Sequence, residues 1–307
     1  MTARHGFKLS LIYVSLLAIL QVASVSEIRA QEADVRSAGA DPSLVAASAE
    51  ITDVRSSGSF VYEYPIEVPE YFGIEPKLSL KYDSSRKTKT GGLYQGWLGY
   101  GWGLEGIATI ERARSEQGVP SYEDTDVFLL NGQALVSCTS TSRRGASCAA
   151  GGNWVSEVEN YLKIQYITST NKWEVSARDG TKTTLSSVAD LAGSTSTANE
   201  AQKYRWLVSQ VEDTHGNKVS YSYTCETLPV CYPQTITFAN RTVKFIYEAR
   251  PDYILMANGA SISKTTKRLK TILVKYGSAY TSGYALAYNT DPQSGASRIA
   301  AVQRYGR

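Results

Sequence analysis

The chain has 307 residues, with 32 Lys and Arg against 29 Asp and Glu, for a formal net charge of +3 at pH 7. Arg4, Lys8 and Arg29 against Glu27 put +2 of that in the first 30 residues. The remainder is close to +1 (3 − 2), a balance that argues against an electrostatic nucleic-acid partner. About 277 residues (307 − 30) are left, enough for one large or two small domains.

Residues 1–30 read as an export signal. Arg4 and Lys8 form a basic start, Leu9–Val25 is mostly apolar, and Ile28-Arg29-Ala30 is a cleavage site before Gln31. The rival reading is an uncleaved anchor. Ser15, Gln21 and Ser24 interrupt that run, which falls short of the roughly 20 residues a spanning helix needs. We therefore expect an exported protein with no stable membrane span after cleavage. Residues 31–52, rich in Ala, Ser, Asp and Glu without a period, read as a disordered leader.

From residue 53 the texture is strand and turn. Phe60–Val68 alternates, with Pro65 and Pro69 marking an edge or an end. Lys77–Tyr82 puts Leu78 and Leu80 on one face and Lys77, Ser79 and Lys81 on the other. Ile107–Arg112 follows a glycine-rich stretch. Asp126–Leu130, Asn131-Gly132 and Gln133–Ser137 spell a two-residue hairpin. Tyr161–Ile167, Lys172–Ala177 and Thr181–Leu185 come next, turned by Asn171 and Asp179-Gly180. Ala189–Ala201 is a loop or a short helix. Tyr204–Glu212, the turn Asp213–Asn217, and Lys218–Thr224 are followed by Thr235–Phe238, Thr242–Glu248, Leu269–Tyr276, Tyr284–Tyr288 and Ser297–Arg304. The expected class is all-β, with largely antiparallel sheets of short strands and no substantial helical domain after the signal.

Gly91–Arg112 (GGLYQGWLGYGWGLEGIATIER) is the stretch around which the chain is arranged. Glycines permit positive φ and close approach, while Trp97 and Trp102 each bring a large ring with a donor that needs a partner. A sharp bend under a packed indole follows, then a strand. Gly99, Gly101 and Gly103 superficially match a dinucleotide loop, but neither a helix nor a ribose-binding acid follows in a βαβ frame.

Cys138/Cys148 and Cys225/Cys231 are close pairs flanking loop-like sequence, which predicts two local disulfides. A zinc site lacks histidine, since only His215 remains after residue 30. His215 sits in Asp213-Thr214-His215-Gly216-Asn217, where backbone turn chemistry accounts for it without a catalytic role. Glu123, Asp124 and Asp126 lack a calcium-loop pattern. The 21 Tyr and 5 Trp suit pleated, half-buried sheets, with sugar stacking as the functional rival. Arg143-Arg144 reads as a solvated loop tip. The residues point to no catalytic group, cofactor or metal.

Three blocks carry a family resemblance: GSFVYEYPIEVPEYFGIEPKLSLKYDSS (58–85), GWLGYGWGLEGIATIERAR (96–114) and DVFLLNGQAL (126–135). Together they resemble the start of the Salmonella virulence plasmid B protein family, which also opens the B component of insecticidal toxin complexes and many exported Rhs/YD-repeat proteins. WLVSQVEDTHGNKVSYSY (206–223) is similar to a YD-repeat unit. The resemblance covers residues 53–307 as one β domain. It implies a wall of a large shell, with toxic activity residing in a separate carboxy-terminal domain.

The function implied is an exported, non-enzymatic structural module that shelters or delivers a toxic polypeptide. Its partners would be other toxin-complex subunits, downstream repeats or the toxic domain, and not nucleic acid. The alternative is a free-standing secreted module that binds glycans or protein. Gly99, Gly101, Trp102, Gly103, Gly106, Arg112, Asp126, Phe128, Gly132, Asp213, Gly216, Asn217 and Tyr221 are expected to be structural. The toxic domain of the virulence plasmid protein is an ADP-ribosyltransferase. Ser140-Thr141-Ser142 and Glu157-Val158-Glu159 imitate motifs of that class, but they stand too close in sequence to frame a nicotinamide cleft.

Overall fold

The computed structural model describes residues 53–54, 58–86, 96–115, 118–138, 145–259 and 261–306. The signal (1–30) and leader (31–52) lie outside the described residues, as do Ser140-Thr141-Ser142 and Arg143-Arg144. Among the described residues no helix is long and apolar enough to cross a membrane.

The chain is all-β, and every strand pairing among the described residues is antiparallel. β1 (Asp53–Val54), β2 (Phe60–Ile66), β3 (Leu78–Asp83) and β4 (Trp102–Glu105) form a four-stranded sheet in chain order. Where the sequence predicts only a bend, the glycine stretch therefore contains a short strand, β4. It pairs with residues 79–82 of β3, placing Trp102 opposite Tyr82.

β5 (Thr109–Arg114), β6 (Asp126–Leu130), β7 (Gln133–Ser137), β8 (Trp154–Ser156), β9 (Lys163–Ile167), β10 (Lys172–Ser176), β11 (Lys182–Ser187) and β12 (Arg205–Glu212) follow as a meander. β12 closes it into an eight-stranded barrel. It pairs with β11 along its length and with β5 through Arg205, Trp206 and Leu207. The later residues of β12 turn away from β5 and pair with β13 (Lys218–Thr227). From there β14 (Val230–Phe238), β15 (Arg241–Ala257), β16 (Ile262–Tyr276), β17 (Ala279–Thr290) and β18 (Ser297–Tyr305) extend the sheet as hairpins. Among the described residues three one-turn helices interrupt the strands: α1 (Ala146–Ala149), α2 (Val188–Leu191) and α3 (Asn199–Gln202).

Local chemistry explains the turns. Asn131 (φ 48°) and Gly132 (φ 85°) both take positive φ between β6 and β7, the geometry that matches a two-residue hairpin to strand twist. The Asn131 side chain also accepts from the Thr109 amide at 2.9 Å, fastening the turn to β5. Apolar residues alternate along β14 and β15, with Ile236, Phe238, Val243 and Phe245 inward.

Two cores result. The barrel interior is filled by Ile110, Phe128, Leu130, Leu135, Ile164, Trp173, Val175, Leu185 and Trp206. Its rings interlock: Trp173 stacks on Tyr166 at 4.7 Å and meets Phe128 edge-on at 5.0 Å. The second core lies between the four-stranded sheet and the extended sheet. Leu78, Leu80 and Leu104 belong to it, together with Val219, Ile236, Val243, Ile272 and Tyr284.

Trp173 is fully buried in the barrel. Trp173→Ala should cost about 3–5 kcal/mol in urea or guanidinium unfolding, as large core truncations do. An unchanged midpoint would contradict a packed barrel.

Candidate functional site

The candidate site is the glycine stretch and the side chains that grip it. β15 contains Pro251, which cannot donate to a ladder, and here β15 bulges. Ala249 pairs with Lys267 and Ile254 with Thr265, so residues 250–253 face Thr266 alone. The bulge turns Arg250 inward, where its side chain is 1% exposed. Its Nε and Nη2 donate to the two Asp252 carboxylate oxygens at 3.1 and 3.0 Å, and its Nη1 donates to the Gly96 carbonyl at 2.5 Å.

The following residues are fixed in turn. The Trp97 carbonyl accepts from the Leu269 amide at 2.7 Å, and its indole N–H donates to the Cys231 carbonyl at 3.0 Å. Gly99 presses on β18: a Cβ there would stand 2.6 Å from the Ser297 carbonyl, which only glycine tolerates. That carbonyl accepts from the Tyr100 amide at 2.7 Å. Ser297 returns to the start of the network, donating its amide and hydroxyl to Asp252 at 2.7 and 2.5 Å. Gly101 and Gly103 lie beneath Tyr82 and Arg86. Gly106 (φ 89°) leaves β4 so close to Lys77 that a Cβ would come within 2.2 Å of its carbonyl oxygen.

The two indoles differ. Trp97 is 2% exposed and sits in the second core. Trp102, the indole placed among the expected structural residues, is half-buried against Tyr82 (5.6 Å) and Tyr62 (6.1 Å). Trp102 and Leu104 stand two residues apart on β4 and so share one face, along which Leu104 takes the fully buried position and Trp102 the half-buried one.

Arg112, Asp126 and Phe128 come together at the barrel mouth. The Asp126 carboxylate, wholly buried, ion-pairs with Arg112 at 3.0 Å and accepts from the Ser121 and Tyr122 amides at 3.0 and 2.6 Å. The Arg112 guanidinium lies 5.2 Å from the Phe128 ring centre and donates to the Glu123 carbonyl. Tyr122 then reaches across to the Asn258 carbonyl at 2.6 Å. Beside this knot Glu111 accepts from Arg205 (3.0 and 2.6 Å) and from the Tyr204 hydroxyl (3.0 Å). Burial, reinforced by Glu111, pushes the Tyr204 phenol well up.

Asp213, Gly216 and Asn217 share one turn between β12 and β13. Asp213 accepts from the His215 and Asn217 amides and from the Asn217 side chain (2.8, 2.9 and 2.7 Å). Gly216 takes φ 83°, and the His215 side chain projects into solvent. Tyr221 packs against the second core, and burial raises its phenol. Both disulfides are formed, Cys138–Cys148 joining the end of β7 to α1 and Cys225–Cys231 crossing the β13–β14 hairpin. Glu159 accepts from the Ala146 and Tyr161 amides, bonds that lower its carboxyl. Among the described residues no three His, Cys, Asp or Glu side chains gather in a way that could hold a metal.

Sequence reasoning missed Trp97 as the deeper indole, and Arg250, Asp252, Ser297, Glu111 and Arg205 altogether. Pro251 behind an arginine was the available signal for the first pair. For the second, the sequence TIERAR of β5 carries no comparable signal, since charged residues outnumber apolar ones there.

The family model of the Salmonella virulence plasmid 65kDa B protein, SpvB, matches residues 54–250, more than half of the chain. The chain belongs to the SpvB family. No curated protein sequence matches it significantly. Among solved structures, the N-terminal domain of effector protein SpvB from Salmonella typhimurium strain LT2 superposes with a TM-score of 0.62 at 18% identity. That match covers 80% of this chain and 98% of the other. A Photorhabdus luminescens Tc holotoxin pore structure matches with a TM-score of 0.61, and a TcdB2-TccC3-Cdc42 structure with 0.58, each at 18% identity. Each covers 80% of this chain but only 15% of the toxin chain. At this identity the likeness establishes a shared SpvB-type fold.

Two predictions follow from the clamp. Trp97→Ala should destabilise by about 3–5 kcal/mol, and Trp102→Ala by clearly less, because only the first ring is fully enclosed; equal losses in chemical denaturation would contradict the assignment. The second concerns acid. Burial raises the Asp252 carboxyl, but hydrogen bonds from Arg250 and Ser297 outweigh it and bring the pKa from 3.8 to about 2. Folding thus favours the carboxylate, so this stabilisation is complete above about pH 4 and is lost as pH falls towards 2. Asp252→Asn should lower stability at neutral pH and flatten that limb; parallel acid-unfolding curves would refute it.

Proposed function

We propose that this chain is an exported, non-enzymatic wall module of an SpvB or toxin-complex type protein, which helps to shelter or deliver a toxic polypeptide. The observation that carries the reading is what the charged groups at the motif positions do. Arg112, Asp126 and Asp213 each hold a backbone turn or a neighbouring strand in place. A wall uses its charges in this way, whereas an active site presents them to a substrate. Family membership over residues 54–250 supports it, as do the YD-like unit at 206–223 and two disulfides suited to an oxidising compartment. β18 also supports it: among the described residues only β17 pairs with it as a strand, and beyond the Gly99–Tyr100 contact at its start its other edge is left for a further polypeptide.

The partners on this reading are further repeats, a toxic domain or other toxin-complex subunits. The test compares the intact mass of the secreted protein with the gene sequence across codon 307, and then images the purified species by electron microscopy. The wall reading expects a longer chain or a stable complex forming a β-walled particle. Secretion of residues 31–307 alone as a stable monomer would sink it. Exposed aromatic residues favour the alternative of a secreted binding surface, and one group of them is specific enough to argue separately.

A further inference from the structure

The loop from β2 to β3 carries Phe72 at its apex, 75% exposed and with φ 54°. A large ring held outward in a left-handed conformation needs a rigid support. Glu75 provides it, its carboxylate accepting from the Tyr71 and Gly73 amides at 2.7 and 3.1 Å. The Ile74 amide closes the turn on the Tyr71 carbonyl at 3.0 Å. Tyr71 stands edge-on to Phe72 at 5.1 Å and is backed by the buried Phe238 at 5.5 Å.

Beside Tyr71 lies Arg241, the first residue of β15. Its guanidinium carbon is 5.8 Å from the Tyr71 ring centre and 5.3 Å from that of Tyr276, its cross-strand partner on β16. Tyr276 is 49% exposed. The Arg241 Nε is buried without a hydrogen-bond partner, and no carboxylate among the described residues pairs with the side chain. The other buried arginine systems, Arg112, Arg205 and Arg250, each have a carboxylate. Arg241 has two tyrosine rings instead.

We propose that Phe72, Tyr71, Arg241 and Tyr276 form a binding site for a carboxylate-bearing saccharide. The guanidinium is a planar fork that takes a carboxylate through two parallel hydrogen bonds, and aromatic faces on either side leave that fork pre-oriented. The exposed rings offer flat apolar faces to the C–H face of a pyranose. An acidic peptide is the lesser fit. β15 is paired on both edges here, by β14 and β16, so no strand edge is open to extended backbone. The site is independent of the wall role, and the failure of either leaves the other standing.

The test is isothermal titration of the full secreted chain with a glucuronate-containing oligosaccharide, a neutral glucose oligosaccharide of equal length, and a polyglutamate peptide. The expected result is saturable binding of the glucuronate oligosaccharide alone, weakened at least about tenfold by Arg241→Gln. Phe72→Ala should weaken it with an unchanged Tm, since the ring it removes is mostly in solvent. Arg178→Gln, which alters a separate cation–ring pair with Tyr161 at 4.0 Å, should bind like the parent. Absence of saturable binding, equal binding of the neutral sugar, preference for polyglutamate, or an unaffected Arg241→Gln variant would each overturn the proposal.

Discussion

A buried guanidinium imposes the constraint on which the rest of this molecule depends. Arg250 is almost wholly removed from water, and an unpaired charge in that position would cost several kcal/mol. Its N–H donors need partners, and three of the five are met, from near and from far along the chain. Asp252 supplies a fork of two oxygens from the same bulge, and Gly96 supplies a carbonyl from a segment 154 residues earlier. Ser297, 45 residues beyond Asp252, completes the carboxylate's shell. With Gly96 held, Trp97 is delivered into the core between the sheets, and Gly99 is held against the first residue of β18. The Gly-Tyr-Gly-Trp-Gly-Leu run is therefore gripped from outside as much as it bends from within.

The same logic is repeated at smaller scale. Asp126 with Arg112, and Glu111 with Arg205, are buried pairs that hold backbone or neighbouring rings, each on the β5 side of the barrel mouth. Such pairs add little net stability compared with apolar packing, but removing one partner strands the other, which makes them effective at enforcing one arrangement. The bulk of the stabilisation comes from two apolar masses: an aromatic plug in the barrel and a mainly aliphatic layer between the sheets. The charged knots set how those masses are joined.

Much of this was legible in the sequence, and the reasons are physical. A period of two and strong turn chemistry made Asp126–Leu130, Asn131-Gly132 and Gln133–Ser137 readable to the residue. The Asp213–Asn217 turn was readable because Asp, Gly and Asn act within a few residues of themselves. Local cysteine spacing gave both disulfides. Long-range closure was not readable. The pairing of β5 with β12, which turns a meander into a barrel, depends on residues nearly a hundred positions apart and leaves no local mark. β4 was hidden because glycine punctuates bends and close-packed strands alike. Trp102 was favoured over Trp97 because sequence marks both indoles but not which one is fully enclosed. β15 runs well past the expected Thr242–Glu248, because Pro251 does not end the strand but falls in the bulge that aims Arg250.

Arg250 ties the segment leading into the four-stranded sheet to the extended one. Hydrogen–deuterium exchange on an Arg250→Met variant, read by peptide, tests this directly, because methionine fills similar space without donors. Residues 96–105 and the start of β18 should lose protection while β6–β11 of the barrel keep theirs. Unchanged protection at 96–105, or an even loss across the whole chain, would contradict it.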